Sequence, residues 1–267
     1  MLHNYVISLP QAEERRQHIR NEFDAKNIPF KFFDALQPSF ELQQHIVKIL
    51  PRLQDEPNMT DGEKACLMSH LSLWQKCLEE DLPYIAIFED DIVLGSQAEK
   101  FLIDTLWLEQ RFANDAYFLC LETVLRLINL KSTGIQEYQG RQFKFLESSN
   151  SGCGAYIISN QAIRLLLQKI HTLSAYDLNP VDVLVYDYLN NIPKFSLYQL
   201  TPALCIQDSV LNKQKGLVSQ LEKDRFFNFN NLPKKKKRKK FSERIQHVLL
   251  KPIRMIKKVQ RQRVLFL

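Results

Sequence analysis

Short apolar runs rich in β-branched and aromatic residues alternate with longer segments of helical period along most of the chain. Residues 5–9, 30–33, 84–88, 117–121, 156–158 and 195–200 read as strands. Helices are predicted over 13–25, 40–50, 61–78, 100–112, 161–171 and 180–189, while 126–145 is loop-rich. Strand, helix and strand in succession is the order of a βαβ unit, so the expected class is α/β. No internal repeat or Gly/Ser linker divides residues 1–231, which read as one domain.

Two helix starts are explicit. Thr60 and Glu63 have the spacing of a capping box, and Leu67, Leu71, Trp74 and Leu78 then keep a helical stripe that Ser69 and His70 interrupt. Asn179 and Pro180 read as N-cap and first helical residue, which places Asp182 in a first turn where the helix dipole favours an ionised acid.

Chemistry enters with Glu89, Asp90 and Asp91, which end the apolar run at 84–88. Three carboxylates at the end of a core strand repel one another unless water, a cation or hydrogen-bond donors compensate. A hard divalent cation does so through oxygen ligands and leaves positions open for phosphate oxygens. A solvated turn after the strand is the alternative. In open α/β sheets ligands gather beyond the carboxyl ends of strands, so Ser8, Arg15 and Asp34 are candidate nucleotide contacts. Gly152 and Gly154, just before the strand at 156–158, allow the backbone to approach a ligand closely, or simply form a turn.

Charge divides the chain. Fourteen of the 36 Lys and Arg but one of the 30 acids fall in residues 232–267, so this segment carries +13 and the rest −7. An acidic body argues against nucleic acid as a partner. The basic run 234–240, followed by Phe241, Ile245, Val248, Leu249, Ile256 and Val259 among further Lys and Arg, predicts a basic amphipathic helical tail on an anionic membrane surface, broken by Pro252. Five cysteines without a Cys-x-x-Cys pair, no evident secretory signal and no apolar run long enough to span a bilayer predict a cytoplasmic protein, with the basic tail as its contact to a membrane surface.

Several segments together resemble glycosyltransferase family 25, and within it the bacterial lipooligosaccharide β-1,4-galactosyltransferases. They are Tyr-Val-Ile-Ser-Leu at 5–9 with Arg15 and Arg16, Phe-Phe-Asp-Ala-Leu at 32–36, Gly-Glu-Lys-Ala-Cys at 62–66 with Ser69 and His70, Phe-Glu-Asp-Asp at 88–91, Gly-Ala-Tyr-Ile-Ile-Ser at 154–159, and Pro-Val-Asp at 180–182. The resemblance implies a GT-A-like fold with a Rossmann-type mixed sheet flanked by helices. It also implies a UDP-sugar donor, a Mn²⁺ or Mg²⁺ cofactor, and a lipid-linked oligosaccharide acceptor. The expected reaction is inverting transfer of galactose in β-1,4 linkage. Asp91, Glu89 and Asp208 become the expected metal ligands, Gln207 or Asp208 standing where many GT-A enzymes have a late His. Glu63, Ser69, His70, Glu89, Asp90, Gly154 and Ala155 join Ser8, Arg15 and Asp34 as expected contacts of the nucleotide sugar.

Inverting transfer needs a carboxylate base that takes a proton from the acceptor hydroxyl. Asp182 is the expected base and Asp187 the second candidate. Three other functions stay open on sequence grounds: a UDP-glucose-dependent hexosyltransferase, a metal-dependent phosphohydrolase, and a non-catalytic polyanion-binding protein.

Overall fold

The strand that ends in the acid triplet lies inside an eight-stranded mixed sheet, with buried residues packed on both of its faces. The computed structural model describes residues 2–113, 115–148, 150–212, 217 and 260–267. Strands β1 (Asn4–Ser8), β2 (Lys31–Asp34) and β3 (Tyr84–Glu89) run parallel, with β1 in the middle. Beyond β3 come β10 (Ala155–Ser159), antiparallel to both of its neighbours, then β5 (Ala116–Cys120) and β11 (Phe195–Thr201). Strands β9 (Gln142–Leu146) and β8 (Leu130–Ser132) complete the far edge. The strand period of two divides the core. Ile85 and Ile87 face a cluster with Leu67, Leu71 and Trp74, whereas Ala86 and Phe88 face Ile19, Phe23 and Phe101 on the other side.

Helix α1 (Glu13–Asp24) follows β1, and α2 (Phe40–Ile49) starts at a Ser39 cap that accepts from the Leu42 amide at 3.3 Å. Helix α3 (Asp61–Glu79) begins at the predicted capping box: Thr60 Oγ1 accepts from the Glu63 amide and the Glu63 carboxylate accepts from the Thr60 amide, each at 3.0 Å. A small sheet sets β12 (Cys205–Gln207) between β4 (Ile92–Leu94) and β6 (Glu122–Thr123), and so carries the chain after β11 back beside the acid triplet.

Four expectations are corrected. The helix expected over 100–112 is two, α4 (Ala98–Leu102) and α5 (Leu106–Phe112), because Asp104 Oδ1 accepts from the amides of Thr105 and Leu106 at 2.6 and 3.0 Å and turns the chain between them. The loop-rich stretch holds β7 (Leu127–Ile128), β8 and most of β9; β9 finds its partner in β11, far along the chain. Asn179 is no helix cap, since its Nδ2 donates to the Asp177 carbonyl at 2.9 Å. The helix expected over 161–171 is α6 (Asn160–Ile170), and the one expected over 180–189 is present as a continuous run in which α7 (Val181–Val183) widens into a π-helical stretch at Leu184–Tyr188. Asp182 stands in the first turn of this run, as expected.

The last correction concerns the tail. The basic run 234–240 and the apolar positions 241–259 lie outside the described residues. Residues 260–267, assigned above to that tail, pack on the domain. Strand β13 (Gln262–Arg263) pairs antiparallel with β7, and Val264 is 2 % exposed with its carbonyl accepting from Thr123 Oγ1 at 2.8 Å. The fully buried Arg141 guanidinium donates to the carbonyls of Pro202, Ala203, Ser96 and Leu267 at 2.7–3.1 Å, tying this segment to the loops around it.

Candidate active site

The carboxyl ends of the parallel strands β1, β2 and β3, with the first half of α3, border a cleft of about 400 Å³, a size that suits a small ligand. The triplet at its edge separates three ways. Alternation along β3 puts Glu89 on the α3 face with Ile87, and its Oε1 lies 3.7 Å from His70 Nε2. Asp90 turns back to β1, accepting from Ser8 Oγ at 2.7 Å and forming an ion pair with Arg15. Asp91 sits 3.5 Å from the same guanidinium, and its Oδ1 is buried with no hydrogen-bond partner among the described residues. Burial first, and the Glu89 charge second, push the Asp91 carboxyl up to about 7 against the pull of Arg15. A buried, unpartnered carboxylate oxygen beside other acids is a donor that a hard divalent cation takes, so these residues fit such an ion.

Across the triplet stands the glycine segment. The Gly154 carbonyl accepts from the Glu89 amide at 2.8 Å, and the Gly154 amide donates to Glu122 Oε1 at 2.5 Å. A Cβ on Gly154 would lie 2.9 Å from Glu122 Oε2 and 3.2 Å from Gln207 Nε2, so the close approach depends on glycine. Gly152, at φ +82°, donates its amide to Asp182 Oδ2 at 3.3 Å, and Tyr186 donates its hydroxyl to the Gly152 carbonyl at 3.0 Å. That amide, with the Val183 amide at 2.9 Å from Oδ1, holds the Asp182 carboxylate at the start of its helical run. Glu122 is 1 % exposed. Burial pushes its carboxyl well above the usual range, and the charges of Glu89, Asp91 and Asp182 add to this, so it favours its neutral form. Four acids thus converge around one glycine segment.

The cleft wall on α3 is braced from inside. Ser69 Oγ donates to the Ala65 carbonyl at 2.8 Å and accepts from the Leu36 amide at 3.0 Å, pinning the segment after β2 to the helix. His70 Nδ1 shares a 2.8 Å hydrogen bond with the Tyr156 hydroxyl, into which Trp74 Nε1 also donates at 3.0 Å. His70 Nε2 is buried and has no hydrogen-bond partner among the described residues.

Of the expected contacts, Ser8, Arg15, Ser69, His70, Glu89, Asp90 and Asp91 line this cleft. Gly154 and Asp182 stand across the triplet outside this lining, and five further expected residues do not meet it as expected. Glu63 commits its carboxylate to the capping box, outside the cleft lining. Asp34 is exposed and paired with Arg16. Ala155 is fully buried in β10 opposite Phe88 and faces the far cluster. Asp208 brings its amide to the Asp91 carbonyl at 2.7 Å, but its carboxylate turns to its own loop, accepting from Asn212 Nδ2 and the Leu217 amide, both at 2.7 Å, and it does not line the cleft. Asp187 is exposed on the turn after Asp182. Sequence reasoning missed Glu122 and Cys66. Glu122 follows a buried strand directly, as Glu89 does, and Cys66 stands one helical turn before His70; either pattern could have found them.

The family profile described as "Glycosyltransferase family 25 (LPS biosynthesis protein)" matches residues 1–185, more than two thirds of the chain. The chain belongs to glycosyltransferase family 25. The region matched contains the triplet, Glu122, the glycine segment and Asp182, and ends before β11 and β12. Among curated relatives in the family's setting, the chain is 46% identical over 224 residues to "Lipooligosaccharide biosynthesis protein lic2B" of Haemophilus influenzae, covering 83% of this chain and 82% of that protein. It is 42% identical over 229 residues to "Lacto-N-neotetraose biosynthesis glycosyltransferase LgtE" of Neisseria gonorrhoeae, covering 84% and 82%. With the LgtB glycosyltransferase of Neisseria meningitidis serogroup A the identity is 39% over 267 residues, covering 98% and 93%. Family 25 membership makes the chain a glycosyltransferase and sets aside the phosphohydrolase alternative.

Proposed function

We propose that this protein is an inverting, GT-A-like hexosyltransferase of lipooligosaccharide biosynthesis that moves galactose from UDP-galactose, in β-1,4 linkage, onto a lipid-linked saccharide. The observation that carries the reading is the Asp91 carboxylate, buried with an open oxygen at the mouth of a cleft at the carboxyl ends of parallel strands. Relatives named for lipooligosaccharide and lacto-N-neotetraose synthesis support the acceptor class. The donor nucleotide lies in the cleft between Ser8, Arg15 and the Ala35–Leu36 segment, its diphosphate toward Asp91. Bound there, Mn²⁺ or Mg²⁺ would neutralise charge developing on the leaving diphosphate. Arg15 fixes Asp90 and Asp91 relative to each other, so the carboxylate awaiting the ion keeps its direction.

Asp182 takes the proton of the attacking acceptor hydroxyl. Its Oδ2 is oriented by the Gly152 amide, and burial pushes the nearby Glu122 carboxyl up toward its neutral form, which eases the negative charge that the site must hold. The basic run 234–240 holds the enzyme on an anionic membrane surface, where a lipid-linked acceptor is presented. The test is acceptor-dependent release of UDP from UDP-galactose, compared with UDP-glucose, followed by linkage analysis of the product. Asp182→Asn should lower kcat by roughly a hundredfold or more with little change in donor affinity, since proton transfer exists only in the transition state. Donor hydrolysis that ignores the acceptor, or full turnover in Asp182→Asn, would overturn the assignment.

A further inference from the structure

Cys66 and His70 stand one turn apart on α3 and point at the end of β3, where alternation delivers Glu89 to the same face. Cys66 Sγ, a His70 ring nitrogen and a Glu89 carboxylate oxygen all lie within 4.8 Å of one another. The His70 Nε2 to Glu89 Oε1 distance is 3.7 Å, and Nε2 is fully buried with no hydrogen-bond partner among the described residues. Bonds of about 2.0–2.3 Å to a tetrahedral zinc ion place its ligand atoms about 3.3–3.8 Å apart. The histidine–glutamate pair already meets that spacing, and the sulfur, within 4.8 Å of both, is at most roughly 1.5 Å from it. The other ring nitrogen, Nδ1, is held by the Tyr156 hydroxyl at 2.8 Å, the kind of supporting partner that orients a ligating histidine.

We infer that Cys66, His70 and Glu89 form a site for a thiophilic divalent cation of the zinc class, distinct in chemistry from the all-oxygen donor at Asp91. Thiolate and imidazole select Zn²⁺ over Mg²⁺ or Mn²⁺, so the two positions in one cleft sort cations by softness. Three protein ligands leave the fourth position facing the cleft, since all three residues line it. An ion there occupies cleft space and draws Glu89 toward α3, so it binds in competition with the donor. The metal site stands on its three residues alone, and the competition rests on the donor reading given above.

The experiment titrates the metal-free full-length protein with Co²⁺ and follows the sulfur-to-cobalt charge-transfer band, then displaces the cobalt with Zn²⁺ in the presence of a competing chelator. One equivalent should give the thiolate band. Cys66→Ser should abolish it, and both Cys66→Ser and His70→Gln should weaken Zn²⁺ binding by roughly a hundredfold or more, with Tyr156→Phe weakening it about 10–100-fold. A band that persists in Cys66→Ser, or no band in the wild type, overturns the site. Circular dichroism of each variant separates lost ligation from lost fold. UDP-galactose binding is then measured with and without one equivalent of Zn²⁺. A rise in apparent Kd that Cys66→Ser removes supports competition, and an unchanged Kd with zinc bound overturns it. Absence of UDP-galactose binding in zinc-free buffer would instead defeat the proposed donor, and the cobalt titration would then decide the metal site independently.

Discussion

Replacing Asp91 by Asn should give a protein that is more stable and less active. Its carboxyl is raised from 3.8 to about 7 in the folded chain, chiefly by burial and by Glu89. At about 1.4 kcal/mol per pH unit, three units place the cost of the ionised group on the order of 4 kcal/mol at pH 8. Between the two values the folded protein holds a proton that the unfolded chain has released, so stability falls as pH rises through this window and levels off above 7. Asn carries no charge and removes that slope. Urea unfolding in chelator, at intervals from pH 4 to 8, should find the two proteins alike at pH 4 and the variant ahead by a few kcal/mol at pH 8. Transfer by the variant should drop at least about a hundredfold, because a neutral carboxamide replaces the charged carboxylate that would hold the cation. Parallel stability profiles would refute the electrostatic argument, and near-normal transfer would refute the role of Asp91.

Mn²⁺ affinity, followed by calorimetry, should weaken about tenfold per pH unit below 7 and flatten above it, because the proton and the ion compete for Asp91. Gly154→Ala should lower stability by about 1–3 kcal/mol in thermal unfolding and reduce turnover, since its Cβ would press on Glu122 at 2.9 Å. Arg141→Met strips donors from four carbonyls and should cost several kcal/mol, on the order of 1–3 kcal/mol per unsatisfied group, with protease sensitivity appearing at the 260–267 segment. Replacing the seven basic residues 234–240 by Ser should release the protein from anionic vesicles, at about 1 kcal/mol lost per charge, and leave the melting temperature unchanged. Cutting the chain before residue 260 should instead lower that temperature, because it uncovers the contacts of Val264.

What the sequence determined by itself is local. The apolar runs located the first strands, Thr60 and Glu63 marked the start of α3, and three acids after a buried run announced the edge of the site. These signals are readable because capping and strand alternation depend on residues a few positions apart. Sheet order decided the rest. Setting β10 between β3 and β5 brings Gly154 against Glu122 across 32 positions, and so gives a residue that looks like an ordinary strand end a carboxyl that favours its protonated form. The same geometry ties Asp90 to Ser8 and Arg15, Asp34 to Arg16 and Asp208 to its own turn, leaving Asp91 with the open oxygen. It also carries residues 260–267 back to β7, where composition had assigned them to a membrane tail. Identical carboxylates differ only through burial and neighbouring charge, and both are set by which distant strands lie side by side.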